Sequence, residues 1–299
     1  MDIVCMHPQD FESLIEVDKI CFERKSSRSM RNLQLLTFND LEGCFVAKKG
    51  DDIIGYVFSK TFGKESYIGP IGVLPEYRKY GIGKKLLDAT VLHLKAKGCS
   101  VIGLEVLPEK CDNIGFYYRL GFKTVYPTLM LEASRNSQYI DIPGVKTINL
   151  SLLSQTEQDF VVNKIRECTL TQLNGVDYSN DIRTTVGEKG NVVVALENDN
   201  PIGFFAYCEL CFPYVWGAVG RHKYRNDIIR KAIFELACLN PKKELLLGIN
   251  TVYNDVVNVL IDSGYRIKKS INRMLLNDGE YPGYLHKNDY FVVLRAWYS

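Results

Sequence analysis

Apolar positions along the chain follow two periods, one near two and one near 3.6. Residues 2–6 are a short apolar strand, and after Pro8 the residues Phe11, Leu14, Ile15 and Cys21/Phe22 recur at helical spacing. Residues 24–32 are basic and serine-rich and read as a loop or a helix start. Residues 44–47 and 53–58 are two strands around the tight turn Gly50-Asp51-Asp52, and 67–73 is a third. The next helix carries Leu86, Leu87, Val91 and Leu94 on one stripe and ends at Gly98. A strand over 100–106, a helix over 112–120 stopped by Gly121, and a strand over 122–131 complete this half.

Residues 133–146 are polar, aperiodic and carry a Pro-Gly turn, so they read as a linker. The same order then returns. Hairpin strands 191–196 and 202–208 precede a helix over 225–239, a strand over 244–249 and a helix over 255–262 stopped by Gly264. Gly203 follows Gly55 by 203 − 55 = 148 positions, and Gly264 follows Gly121 by 264 − 121 = 143. A shared order at a near-constant offset predicts a duplicated domain.

Length agrees with that, because 299 residues exceed one average domain. A net charge of +2 is too small for a general nucleic-acid binder, so no nucleic-acid partner is expected. The longest uncharged stretch, 210–220, is too short to span a bilayer as a helix, so no membrane partner is expected. Nine mostly scattered cysteines and a start without an apolar h-region predict reduced thiols and a cytoplasmic protein. Cys208-Glu209-Leu210-Cys211 is the one C-x-x-C. On a strand its thiols would face opposite ways, which suits a chelate poorly, and the four histidines show no ligand spacing; no metal is expected.

The chemistry concentrates in Val73-Leu74-Pro75 followed by Arg78-Lys79-Tyr80-Gly81-Ile82-Gly83-Lys84. A strand runs out, proline breaks it, and glycines stand at the mouth of an amphipathic helix. The first turn of a helix offers unpaired N–H groups at the positive end of the dipole, and glycine lets an oxygen approach them. Such a turn binds a phosphate or pyrophosphate.

Residues 70–126 resemble the core of the GNAT superfamily of N-acetyltransferases. The family has a strand ending V-x-P, then [RQ]-x-x-G-x-[GA] and a helix, and some 30 residues later a helix ending F-Y-x-x-x-G-F. Here Phe116-Tyr117-Tyr118-Arg119-Leu120-Gly121-Phe122 supplies the second motif. The resemblance extends over 1–132 and in layout alone over the second half. It implies an α/β (α+β) fold of two GNAT-like domains, 1–132 and 147–299, joined by the linker 133–146. Each is a mixed, mostly antiparallel sheet flanked by helices.

It further implies that acetyl-CoA lays its pyrophosphate on Arg78–Lys84 and its pantetheine arm along Ile71, Gly72 and Val73. Asn113 stands in for the family's pantetheine-binding asparagine, because Lys110 occupies the usual position. Tyr117 is implied as proton donor to the CoA sulfur. Glu105 is the candidate general base, with Glu65 beside it, and alternation leaves open whether Glu105 faces the cleft or the helices. The reaction implied is acetyl transfer to a small or peptide amine. A protein N-terminal or lysine acetyltransferase and a non-catalytic acyl-CoA sensor are the alternatives. In the second half the two glycines align with Asp227 and Ile229, and Tyr117 with Leu260, so that half is expected to be degenerate. Its aromatic run from Phe204 to Trp216 is expected to wall the acceptor cleft.

Overall fold

The computed structural model describes residues 1–133, 139–241, 243–276 and 291–294. The predicted linker therefore lies partly outside the described residues, as does His286. The first half runs β1 (Asp2–Cys5), α1 (Phe11–Cys21), α2 (Met30–Thr37), β2 (Phe45–Lys49), β3 (Asp52–Phe62), β4 (Glu65–Val73), α3 (Ile82–Ala96), β5 (Val101–Val106), α4 (Cys111–Arg119), β6 (Phe122–Thr124) and β7 (Thr128–Glu132). The second repeats that order with β8 (Val145–Asn149), α5 (Gln155–Gln172), α6 (Ser179–Gly187), β9 (Asn191–Glu197), β10 (Asn200–Cys208), β11 (Phe212–Gly220), α7 (Arg225–Leu239), β12 (Leu246–Asn250), α8 (Asn254–Asp262), β13 (Arg266–Leu276) and β14 (Phe291–Leu294). Helices α5 and α6, the counterparts of α1 and α2, carry no clear apolar stripe in the sequence and emerge only in the fold.

Strand β3 explains why this half reads so apolar. Ile53, Tyr56 and Phe58 pack toward α1 and α2, whereas Ile54 and Val57 pack toward α3. Both faces of the sheet are covered, so alternation gives way to a continuous apolar run. On α3 the buried stripe is Ile82, Leu86, Leu87, Thr90 and Leu94.

The two expected sheets are joined into one. All fourteen described strands belong to a single sheet, in which β13 lies between β5 and β7. Residues 272–275 of β13 pair with 106–103 of β5, and 266–271 pair with 132–128 of β7. The other edge of β7 pairs with β12 of the second half. Each half thus hands a strand to the other. The cores follow: Tyr67 and Val101 pack in one apolar cluster with Leu247 and Ile249, and Phe62 packs in another with Tyr178 and Trp216.

Three expectations are corrected. The strand predicted over 122–131 is two strands, β6 on β13 and β7 between β13 and β12, broken where Pro127 lacks an N–H for a ladder. Cys208 ends β10 but Cys211 lies in the turn before β11, so the strand-alternation argument does not apply to the pair. Phe204, Phe212 and Trp216 form a buried aromatic cluster with Tyr178 and fill the second half's core.

Candidate active site

β3 pairs along the whole of β4, but β5 pairs with it only at 65–67, opposite 101–103. From Gly103 onward β5 turns to β13. Parallel neighbours that part in this way leave a wedge. Among the described residues no strand pairs over 68–73, which contains Ile71, Gly72 and Val73, with the edge of β4 that faces away from β3.

The wedge opens onto the turn before α3. Lys79 has φ +69° and Gly81 φ +77°, both left-handed, and Gly81 caps the helix. A Cβ built on Gly81 would meet nothing within 4 Å, so the space in front of this backbone is open. A side chain there would be strained and would project into that space. Gly83 differs: a Cβ there would touch the Phe116 ring at 3.4 Å, so this glycine permits close approach of α4. Gly72 has no room for a side chain either, because Tyr56 and Cys21 would stand 2.8 and 3.0 Å from it.

The basic residues of the turn divide. The Arg78 guanidinium donates from Nε to the Val73 carbonyl at 3.0 Å and from Nη2 to the Cys21 carbonyl at 3.2 Å, tying the turn to the end of α1. Lys84 donates to Asp88 one turn along at 2.6 Å. Lys79 and Tyr80 are exposed, as is Asn113 in the first turn of α4.

Tyr117 is buried on α4, its ring 5.3 Å from Phe116 and 6.0 Å from Phe122. Burial pushes its phenol up to about 12, so it carries its proton at neutral pH. Glu105 is closed off. Its Oε1 accepts from Arg273 Nε at 3.1 Å and Nη2 at 3.0 Å, and from the Thr128 hydroxyl. Both charged side chains are buried, on directly opposed residues of β5 and β13. The partner arginine comes from the other half, 168 residues away in sequence, so sequence reasoning had no means of seeing the pair. Glu65 is buried at the narrow foot of the wedge.

One polar cluster near the site carried only a faint signal, the basic composition of 24–32. Asp18 accepts from the Tyr56 hydroxyl at 2.5 Å and from Arg24 at 2.8 Å, and pairs with Arg28 at 3.3 Å. It fixes the α1–α2 segment against β3, directly behind Gly72.

The profile of the Acetyltransferase (GNAT) family matches residues 11–122, which hold the wedge, the turn and Tyr117. Over this segment the chain resembles that family. Mycothiol acetyltransferase from Streptomyces bingchenggensis is 31% identical over 93 residues, 30% of each chain, so the match spans under a third of that relative. Over nearly the full length, two solved structures share the fold. A provisionally named acetyltransferase from Pyrococcus horikoshii has a TM-score of 0.73 at 16% identity, covering 99% of this chain and 94% of that one. A tandem GNAT protein from the clavulanic acid biosynthesis pathway has a TM-score of 0.59 at 10% identity, covering 94% and 99%. The second half therefore shares the fold of a tandem GNAT protein.

Its wedge is nevertheless filled. Gly203 pairs with Val219 as Gly55 pairs with Val73, so 217–219 stand where 71–73 stand. Strand β14 pairs with 217–220, along the edge that β4 leaves without a described partner. Asp227, in the place of Gly81, lies in the first turn of α7 and pairs with Arg230 at 3.3 Å.

Proposed function

We propose that the chain is an N-acetyltransferase that moves acetyl from acetyl-CoA to a primary amine by direct attack in a ternary complex. The observation that carries this reading is the edge of β4 at 71–73, which no described strand pairs with, leading into the open left-handed turn at Gly81 inside a segment that resembles the GNAT family. The N–H groups of Arg78, Lys79, Tyr80, Gly81, Ile82, Gly83 and Lys84 suit a pyrophosphate at the positive end of α3. Ile71, Gly72 and Val73 suit pairing with a pantetheine amide chain, and Asn113 flanks its path from α4.

Acetyl-CoA supplies an activated thioester, so no covalent enzyme intermediate is needed. Backbone N–H groups near Val73 are the oxyanion donors. Tyr117, with its proton held by burial, is the donor to the departing sulfur. We assign Glu105 a structural role, since its carboxylate is already neutralised by Arg273; the amine's proton then leaves through water. The catalytic unit is 1–132 with β13 added to its sheet, and the second half, 147–299, is a degenerate domain without its own CoA slot. Nine free thiols support a cytoplasmic setting.

The acceptor is a small-molecule or peptide amine. An acceptor screen following CoA release over amines, amino acids and peptides tests the reading. The closed Glu105 favours one rival, a non-catalytic acyl-CoA sensor, which needs no base. Tight acetyl-CoA binding with no CoA release across the whole screen would support that sensor.

A further inference from the structure

Strand alternation disfavours a chelate at the C-x-x-C of the second half, but its position in the fold gives it a different character. Cys208 is the last residue of β10, and 209–211 form the turn to β11, with Cys208 opposite Phe212. Residues i and i+3 of a turn have Cα atoms within about 7 Å, and a disulfide spans about 4.4–6.8 Å. That spacing lets the two sulfurs be bridged, and the Cys208 thiol donates to the Glu188 carbonyl at 3.8 Å. The neighbouring Cys211 thiol, with the backbone N–H groups of the turn behind it, holds the Cys208 thiol well below its ordinary value against the opposing effect of burial. Cys211 moves the opposite way, because its proton is held against the neighbouring thiolate.

The surroundings hold this geometry in place. The Leu210 carbonyl accepts from Asn32 on α2 at 3.3 Å, Glu209 pairs with Lys243, and Glu188 pairs with Arg31. Lys60 and Asp181 are the charged groups facing Cys211. Cys208 is itself buried, yet it lines a surface cavity of about 540 Å³ with Glu188, Lys189 and Leu210, which gives a thiol reagent an approach.

We propose that Cys208 and Cys211 are a redox site: a prebuilt dithiol that forms an intramolecular disulfide by exchange with a small disulfide such as oxidised glutathione. The Cys208 thiolate attacks one glutathione sulfur, forming a mixed disulfide and releasing the first glutathione thiolate. With the charge on Cys208 gone, Cys211 gives its proton to solvent and attacks the Cys208 sulfur, and the second glutathione thiolate leaves. Two protein thiols are oxidised by two electrons, and one glutathione disulfide becomes two thiols.

The site is independent of the acetyl-transfer reading and is tested without it. The folded full chain is equilibrated with oxidised glutathione, quenched in acid, alkylated and mapped by peptide mass spectrometry. The peptide holding Cys208 and Cys211 is expected two hydrogens lighter, with neither thiol alkylated. Its recovery fully alkylated, while the exposed Cys5, Cys111 and Cys238 carry glutathione, would overturn the proposal. The variant Cys211→Ser is expected to trap glutathione on Cys208 as a stable mixed disulfide. A folded Cys211→Ser chain with adducts elsewhere and none on Cys208 counts equally against the site. If that variant does not fold, the wild-type map alone decides.

Discussion

Replacing Tyr117 by Phe removes one oxygen and leaves the ring against Phe116 and Phe122. The buried phenol sits at about 12, whereas a free thiol sits near 8.5. Complete proton transfer to a departing thiolate is therefore uphill by about 3.5 units, or about 5 kcal/mol. Tyr117 instead helps by donating a hydrogen bond to the charge that builds on sulfur. Such a bond contributes about 1.5–3 kcal/mol, so Tyr117→Phe should lower kcat by roughly 10- to 150-fold. Acetyl-CoA affinity should hold within about twofold, since the turn at 78–84 is untouched. Stopped-assay kcat values and calorimetric Kd values on the same preparation separate the two effects. The wild-type rate should show no limb from Tyr117 below about pH 11, because the phenol does not titrate there. Stability supplies a second check. A folded pKa raised above the unfolded value of about 10 stabilises fully below pH 10 and is lost as pH rises toward 12. Tyr117→Phe should therefore unfold less readily than wild type above about pH 11. A variant that turns over at the wild-type rate across the pH range would refute the catalytic role.

Three further outcomes are expected. Gly81→Asp puts a strained side chain and a negative charge into open space at φ +77°. Calorimetry should find one acetyl-CoA site per wild-type chain and none in this variant, while thermal unfolding stays cooperative; two equivalent sites in wild type would sink the single-slot reading. Arg273→Met leaves the buried Glu105 carboxylate without its compensating positive charge and should cost about 3–5 kcal/mol in chemical denaturation. Adding Glu105→Leu should recover part of that loss, and purely additive losses would show that the two residues are uncoupled. Proteolytic cleavage within 133–146 should leave both halves eluting together on gel filtration, because separation must break the ladders of β7 and β13; separate elution of folded halves would contradict the strand exchange.

Local chemistry made much of the first half legible before any fold was known. The apolar stripe of α3, the proline that ends β4 and the glycine turn each act within a few residues, so spacing alone exposes them. The repeat of hairpin, helix, strand and helix was readable for the same reason. The pairing of distant strands was not. Nothing local to Thr128–Glu132 or Arg266–Leu276 says that each belongs in the other half's sheet, since a ladder needs only backbone groups and either partner satisfies them. That exchange brings Arg273 to Glu105 and makes the obvious carboxylate a buried ion pair. The Asp227 and Ile229 substitutions pointed to a degenerate second half, but the strand that fills its slot is a tertiary fact, set by β14 folding back on β11. The C-x-x-C was plain as a motif, yet a one-residue difference between strand and turn decides whether its thiols diverge or meet. Short-range periodicity determines elements and their turns, while strand partners and charge partners from remote parts of the chain are decided only when the sheet closes.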